Sequence, residues 1–179
     1  MISTQRLVLR SLQPSDSERI AALAGVWDVA SMTGRIPYPY SQADALNWVT
    51  GVADGEMVFG IDHAGELIGI CGYSREGNRV AVLGYWIGQP YWRRGFATEA
   101  ARALIDYGFT KGGIKRFIAR HFNENDASAR VLRKIGFRTS GTGMGWCEAR
   151  QAEFAVKTYD LRRPWTTALK STALKARAS

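Results

Sequence analysis

Apolar residues recur along this chain with two periods, and the switches between them mark out strands and helices. Arg6-Leu7-Val8-Leu9-Arg10-Ser11-Leu12 alternates and predicts an edge strand. Pro14-Ser15-Asp16 opens a helix to about Gly25, with Ser15 or Asp16 as its cap. From Trp27 to Tyr40 the periodicity fails, and Gly34, Pro37 and Pro39 predict a loop. Ser41-Gln42-Ala43-Asp44 is a capping-box-like start for a second helix, ending near Asp54-Gly55. Two strands, Met57 to Asp62 and Glu66 to Tyr73, are joined at His63-Ala64-Gly65 as a hairpin. Glu76-Gly77-Asn78 turns the chain into Val80 to Ile87, a β-branched and aromatic run that reads as a buried strand. Then Ala100/Leu104/Gly108 and Ala101/Ile105/Phe109 repeat at four, the apolar stripe of a helix from about Phe96 to Lys111, stopped by Gly112-Gly113. Arg116 to Arg120 predicts a strand, and Asp126 to Ile135 a helix closed by Gly136. Two last strands follow, from about Arg138–Gly141 onward and over Glu153–Leu161. Strands first, then strand–helix–strand–helix–strand, imply an α+β fold with a mixed sheet.

The junction between the buried strand and the longest helix carries the first chemical signal. Tyr91-Trp92-Arg93-Arg94-Gly95-Phe96-Ala97-Thr98-Glu99-Ala100 is a basic, glycine-containing turn leading into a helix start. Unpaired backbone N–H groups there, with Arg93 and Arg94 beside them, suit a phosphorylated ligand. The turn contains neither G-x-x-x-x-G-K-[ST] nor G-x-G-x-x-G, which excludes a P-loop and a dinucleotide fingerprint. On its own the segment also reads as a charged turn that merely starts a helix.

A second segment, Asn123-Glu124-Asn125-Asp126-Ala127-Ser128-Ala129-Arg130-Val131-Leu132-Arg133-Lys134-Ile135-Gly136-Phe137, decides between these. Together the two resemble the GNAT family of acyl-CoA N-acyltransferases, and most of all its RimJ/RimL-like branch, which acetylates ribosomal-protein N-termini. The family loop [QR]-x-x-G-x-[GA] maps onto Trp92, Gly95 and Ala97, with the T-E-A of this branch after it. The downstream pattern N-x-x-[AS]-…-K-x-G-F maps onto Asn125, Ser128, Lys134, Gly136 and Phe137. Thr4-Gln5-Arg6-Leu7-Val8-Leu9-Arg10 and Ile36-Pro37-Tyr38-Pro39-Tyr40 also resemble the branch, so the likeness spans roughly residues 3 to 165. It implies a mixed, mostly antiparallel sheet of about seven strands with about four helices, splayed between the fourth and fifth strands to admit acetyl-CoA.

The resemblance distributes roles. Backbone of Arg93, Arg94, Gly95, Phe96, Ala97 and Thr98 would surround the pyrophosphate, and main chain at Trp86 and Ile87 would polarise the thioester carbonyl. Asn125 and Ser128 would meet the pantetheine arm or lie near the sulfur, although Asn125 also reads as a helix cap. Many members carry a tyrosine acid four residues after the Ser128 position. Leu132 stands there instead, which leaves the Ser128 hydroxyl as the replacement acid. Arg130, Arg133 and Lys134 reach further phosphates or form the wet face of their helix. Candidate bases are Glu99, Glu148, Glu153, His121 and Asp28, with Glu99 favoured by the T-E-A pattern. Tyr38 and Tyr40 either line the acceptor pocket or pack on the core.

Transfer to an amine also requires that amine to be neutral. Reference pKa values of about 7.8 for an α-amine and about 10.4 for lysine make neutralisation near pH 7.4 cost roughly 0.5 and 4 kcal/mol. Without an obvious strong base, an α-amine or similarly weakly basic acceptor is favoured. The alternative from another class is a GNAT-fold module that binds acyl-CoA without turnover.

Bulk properties narrow the rest. A chain of 179 residues, 46% hydrophobic and 22% charged, is one ordinary globular domain. No apolar run approaches the ~20 residues of a membrane span, and Met1-Ile2-Ser3-Thr4-Gln5-Arg6 has no signal-like apolar stretch. Cys71 and Cys147 make neither a disulfide framework nor metal-ligand spacing, so a cytoplasmic setting and no metal are expected. Most of the net charge of +8 lies after Asp160, in Arg162, Arg163, Lys170, Lys175 and Arg177. That places the domain at 1–165 and a basic tail, helical or disordered, at 166–179, with no specific nucleic-acid partner and a monomer or homodimer.

Overall fold

The computed structural model describes residues 1–52 and 56–163. Its elements, in order, are β1 (Ile2–Ser3), β2 (Val8–Arg10), a 3-10 turn (Pro14–Asp16) running into α1 (Ser17–Ala24), α2 (Trp27–Ala30), α3 (Gln42–Thr50), β3 (Glu56–His63), β4 (Glu66–Arg75) and β5 (Val80–Ile87). A second 3-10 turn (Gln89–Tyr91) precedes α4 (Phe96–Thr110), β6 (Arg116–Phe122), α5 (Asp126–Ile135), β7 (Arg138–Cys147) and β8 (Ala152–Arg162). The expected basic tail and the end of the second expected helix at Asp54-Gly55 lie outside the described residues.

The strands form one sheet in the order β1-β2-β3-β4-β5-β6-β8-β7. Neighbours are antiparallel except β5 and β6, which are parallel. The sheet is the expected α+β type with one strand and one helix more than the sequence suggested. The extra strand is the two-residue β1, which pairs Ile2 with Leu9 and takes the edge from β2. The extra helix is α2, inside the segment that reads as a loop.

The β5–β6 pairing creates the site. It runs only from Val80↔Arg116 to Leu83↔Ala119. Beyond it, Gly84 to Ile87 stay hydrogen-bonded to β4, while Arg120 to Phe122 stay on β8. The two strands therefore diverge and open a wedge in the sheet.

Alternation along β5 sends its residues to two cores. Ala81, Leu83 and Ile87 join the cluster under α4 and α5, with Tyr85 packed against it, whereas Trp86 packs with α1 and α3 residues such as Ile20 and Ala45. Helix α4 lies close to the sheet because Gly108 has no side chain: a Cβ there would sit 2.5 Å from Phe117 Cζ.

Candidate active site

The turn between β5 and α4 is held in an unusual backbone shape. Arg93 (φ 62°) and Gly95 (φ 82°) are both left-handed, and Gly95 is the N-cap of α4. The indole Nε1 of Trp92 donates to Ile87 O at 2.6 Å, tying the turn back to the strand it leaves. Among the described residues, no protein acceptor takes the backbone N–H of any residue from Arg93 to Thr98. Six successive free donors at a helix start, beside Arg93, fit a pyrophosphate group, which is what coenzyme A would bring here.

A cleft of about 1060 Å³ runs from this turn through the wedge. It is as large as or larger than the ~300–1,000 Å³ of ordinary small-ligand pockets, enough for two substrates at once. Of the residues singled out in the sequence, Trp86, Ile87, Arg93, Gly95, Phe96, Ala97, Thr98, Asn125, Ser128 and Tyr40 line it. Tyr40 is half-buried, and burial, with the nearby Asp44 carboxylate, pushes its hydroxyl pKa up.

Asp28, His121, Arg130 and Lys134 line the cleft as well, whereas Arg94, Tyr38 and Glu99, like Arg133, Glu148 and Glu153, lie outside. Arg94 stacks its guanidinium 4.8 Å from the Phe96 ring centre. Tyr38 is 50% exposed, edge-on to Trp27 with ring centres 5.1 Å apart. Glu99 is bound to the first strands: Oε1 accepts from Thr4 Oγ1 (2.6 Å) and Arg6 N (2.9 Å), and Oε2 from Arg6 Nε (2.8 Å). Burial opposes ionisation of Glu99, but the Thr4 and Arg6 hydrogen bonds outweigh it and hold the carboxyl below its ordinary range. A carboxylate so committed is a brace and a poor base.

At the other wall, Asn125 Oδ1 accepts from Ser128 N at 3.0 Å and caps α5. The Ser128 hydroxyl meets Tyr85 Oη at 2.9 Å. Leu132, one turn further, is 1% exposed and belongs to the core beneath α4 and α5. Sequence reading singled out Tyr85 only as backbone. The signal available was its place in the β5 alternation, opposite in facing to Trp86, but its partner lies 43 residues away.

The remaining base candidates are also accounted for. His121 is 6% exposed. Its Nδ1 lies 2.7 Å from Phe122 O, an acceptor only, so Nδ1 donates there, and Nε2 lies 3.2 Å from Tyr159 Oη. Glu148 holds Trp146 Nε1 and Gln151 Nε2, and Glu153 is exposed on β8. Four carboxylates line the cleft: Asp28 pairs with Gln89 (3.0 Å), Glu56 with Arg35 (3.1 Å) and Glu124 with Arg150, while Asp126, in the first turn of α5, has no side-chain partner among the described residues.

The acetyltransferase (GNAT) domain family matches residues 6–138. The chain is 26% identical to an uncharacterized N-acetyltransferase, YoaA, of Bacillus subtilis, over 92% of this chain and 97% of that one. It is 31% identical to the ribosomal-protein-serine acetyltransferase of Escherichia coli, over 66% of this chain and 63% of that one. Among solved structures, a GNAT-family acetyltransferase from Bacillus anthracis superposes with a TM-score of 0.80 at 26% identity, covering 90% of this chain and 97% of the other. The coenzyme A complex of RimL, a ribosomal alpha-N-protein acetyltransferase, gives 0.77 at 19% identity over 89% and 95%. The complex of Vibrio cholerae spermidine N-acetyltransferase with CoA and spermine gives 0.76 at 21% over 89% and 96%.

This chain belongs to the GNAT acetyltransferase family. It is an acetyl-CoA-dependent N-acetyltransferase. Among the described residues there is no cluster of His, Cys, Asp or Glu able to hold a metal ion, and no helix long and apolar enough to cross a membrane.

Proposed function

We propose that this enzyme acetylates an α-amine, or an amine of similarly low basicity. The observation that carries this reading is the state of the acids around the cleft: three of the four that line it, Asp28, Glu56 and Glu124, are already engaged by a neighbouring side chain, and the fourth, Asp126, sits in the first turn of α5. A lysine-like amine needs about 4 kcal/mol of help to lose its proton near neutral pH, against about 0.5 kcal/mol for an α-amine. Solvent suffices for the second. A relative that acetylates ribosomal-protein serine is consistent with such an acceptor.

In this reading the free N–H groups from Arg93 to Thr98 bind the pyrophosphate, and Asn125 meets the pantetheine arm. Main chain at Trp86 and Ile87 polarises the thioester carbonyl. The amine nitrogen attacks the carbonyl carbon, the C–S bond breaks with its electron pair on sulfur, and the Ser128 hydroxyl protonates that sulfur.

The experiment is a panel of amines at fixed pH, following free thiol. Amines with pKa near 8, including short peptides with free N-termini, should be turned over with higher kcat/KM than lysine side chains or polyamines. Preference for the strongly basic amines would overturn the acceptor assignment. In the same assay Ser128→Ala should lower saturated turnover about tenfold to a hundredfold, at or below the ~10²–10⁴ of a positioned acid, because water partly substitutes. Acetyl-CoA affinity should hardly change.

A further inference from the structure

Serine is a weak acid by itself, since an alkoxide left on Oγ would be far more basic than the thiolate it had protonated. The surroundings of Ser128 supply what is missing. A serine in a helix often donates to the carbonyl four residues back. No such bond forms here, and among the described residues the Ser128 hydroxyl has one partner, Tyr85 Oη at 2.9 Å. The same phenol lies 3.4 Å from the Ser128 carbonyl oxygen. Tyr85 comes from β5, on the opposite side of the wedge from α5, and both residues line the cleft. Leu132, at the position where other family members carry a phenol, is sealed into the core.

We propose that Tyr85 is the proton source behind Ser128, a phenol reached across the wedge instead of along α5. This rests on the reading of Ser128 as the group that protonates sulfur. As the C–S bond breaks, Ser128 Oγ gives its proton to sulfur and takes the Tyr85 proton in turn, so negative charge passes to the phenol. The nitrogen loses one proton as the amide forms, and solvent returns it to Tyr85. One proton leaves nitrogen and one arrives on sulfur, with both side chains regenerated. Burial pushes the Tyr85 hydroxyl up to about 12, the hydrogen bond with Ser128 opposing it. The phenol is therefore fully protonated at working pH and available as a donor.

The test is a double-mutant cycle of Tyr85→Phe and Ser128→Ala, with saturated turnover and acetyl-CoA affinity measured separately. Phenylalanine keeps the ring and removes only the hydroxyl. Tyr85→Phe should lower saturated turnover about tenfold, no more than Ser128→Ala does, and leave acetyl-CoA affinity within about twofold. Added to Ser128→Ala it should cost nothing further, as expected for two residues of one chain. If Ser128→Ala slows turnover and Tyr85→Phe does not, the role of Tyr85 falls while that of Ser128 stands. If Tyr85→Phe slows turnover equally with and without Ser128, the phenol acts independently and the coupling is overturned. If Ser128→Ala leaves turnover unchanged, the reading of Ser128 fails and the relay with it. Weaker acetyl-CoA binding at unchanged turnover would make Tyr85 a packing residue and also overturn the proposal.

Discussion

Gly95 holds φ at +82°, in the region where a Cβ is strained, and its N–H is one of the six free donors. A side chain there acts twice. It disfavours the left-handed turn, and its Cβ comes to 3.4 Å from Arg6 Nη2, the arm that steadies the turn. Gly95→Val should weaken acetyl-CoA binding at least about tenfold, or about 1.4 kcal/mol. Calorimetry on a folded Gly95→Val protein showing unchanged affinity would remove this turn from the cofactor site. The special backbone at Gly95 was legible in the sequence, because a glycine between a strand and a helix start marks backbone that is left-handed or closely approached. The job of Glu99 was not. Its partners Thr4 and Arg6 lie 95 and 93 residues earlier, and no local pattern announces a contact of that range. Tyr85 was missed for the same reason, and Tyr38 and Tyr40 look alike in sequence although only the second lines the cleft.

Where one element meets another, the N-terminal strands and α4 are joined by a compact brace. Arg6 donates to Glu99 through its main chain and side chain, gives Nη1 to Arg94 O at 3.0 Å, and stacks on Phe96 with its guanidinium 4.7 Å from the ring centre. Arg94 O, turned to Arg6, leaves the N–H groups of the same turn free. Glu99→Gln should therefore lower melting temperature and raise KM for acetyl-CoA while saturated turnover stays within about twofold. A general base would show the reverse, a collapse of turnover with KM retained. The pH dependence has a fixed sign. The Glu99 pKa is depressed on folding, so its contribution is fully present above the ordinary carboxylate value of about 4.3 and is lost as pH falls through the folded value. The stability gap between wild type and Glu99→Gln should be full at pH 7 and close in acid below about pH 4. Because Arg6 is 42% exposed, added salt should narrow the gap too. Periodicity made the elements themselves readable: α4 and α5 fall within a residue of their expected limits, since each combines a stripe of apolar positions with a glycine terminator. A helix of four residues such as α2 carries no periodic signal, and the order β6-β8-β7 is a property of strand pairing that spacing along a chain does not encode.

Across the whole molecule, the sheet of the described residues ends with β8 at Arg162. Tyr159 is buried and Leu161 packs against the main core, Asp160 pairs with Arg116, and Arg163 N donates to Lys115 O at 3.0 Å. The cleft is lined by residues no later than Val156 among those described. The last fourteen residues, 166–179, carry Lys170, Lys175 and Arg177 and no acid. A chain shortened to end at Trp165 should therefore keep both its melting temperature and its turnover. A fall of more than about 3 °C, equivalent to about 1 kcal/mol in a protein of this size, would show that the tail docks on the domain. Unchanged stability with a raised KM for one acceptor only would instead place the tail beside that acceptor. Binding to RNA provides the complementary measurement. If the cationic tail alone attracts polyanions, binding should fall on truncation and weaken steeply with salt in the intact chain. RNA affinity that survives truncation would shift the contact to the domain, and the net charge of the folded part would then need a partner other than a pyrophosphate to explain it.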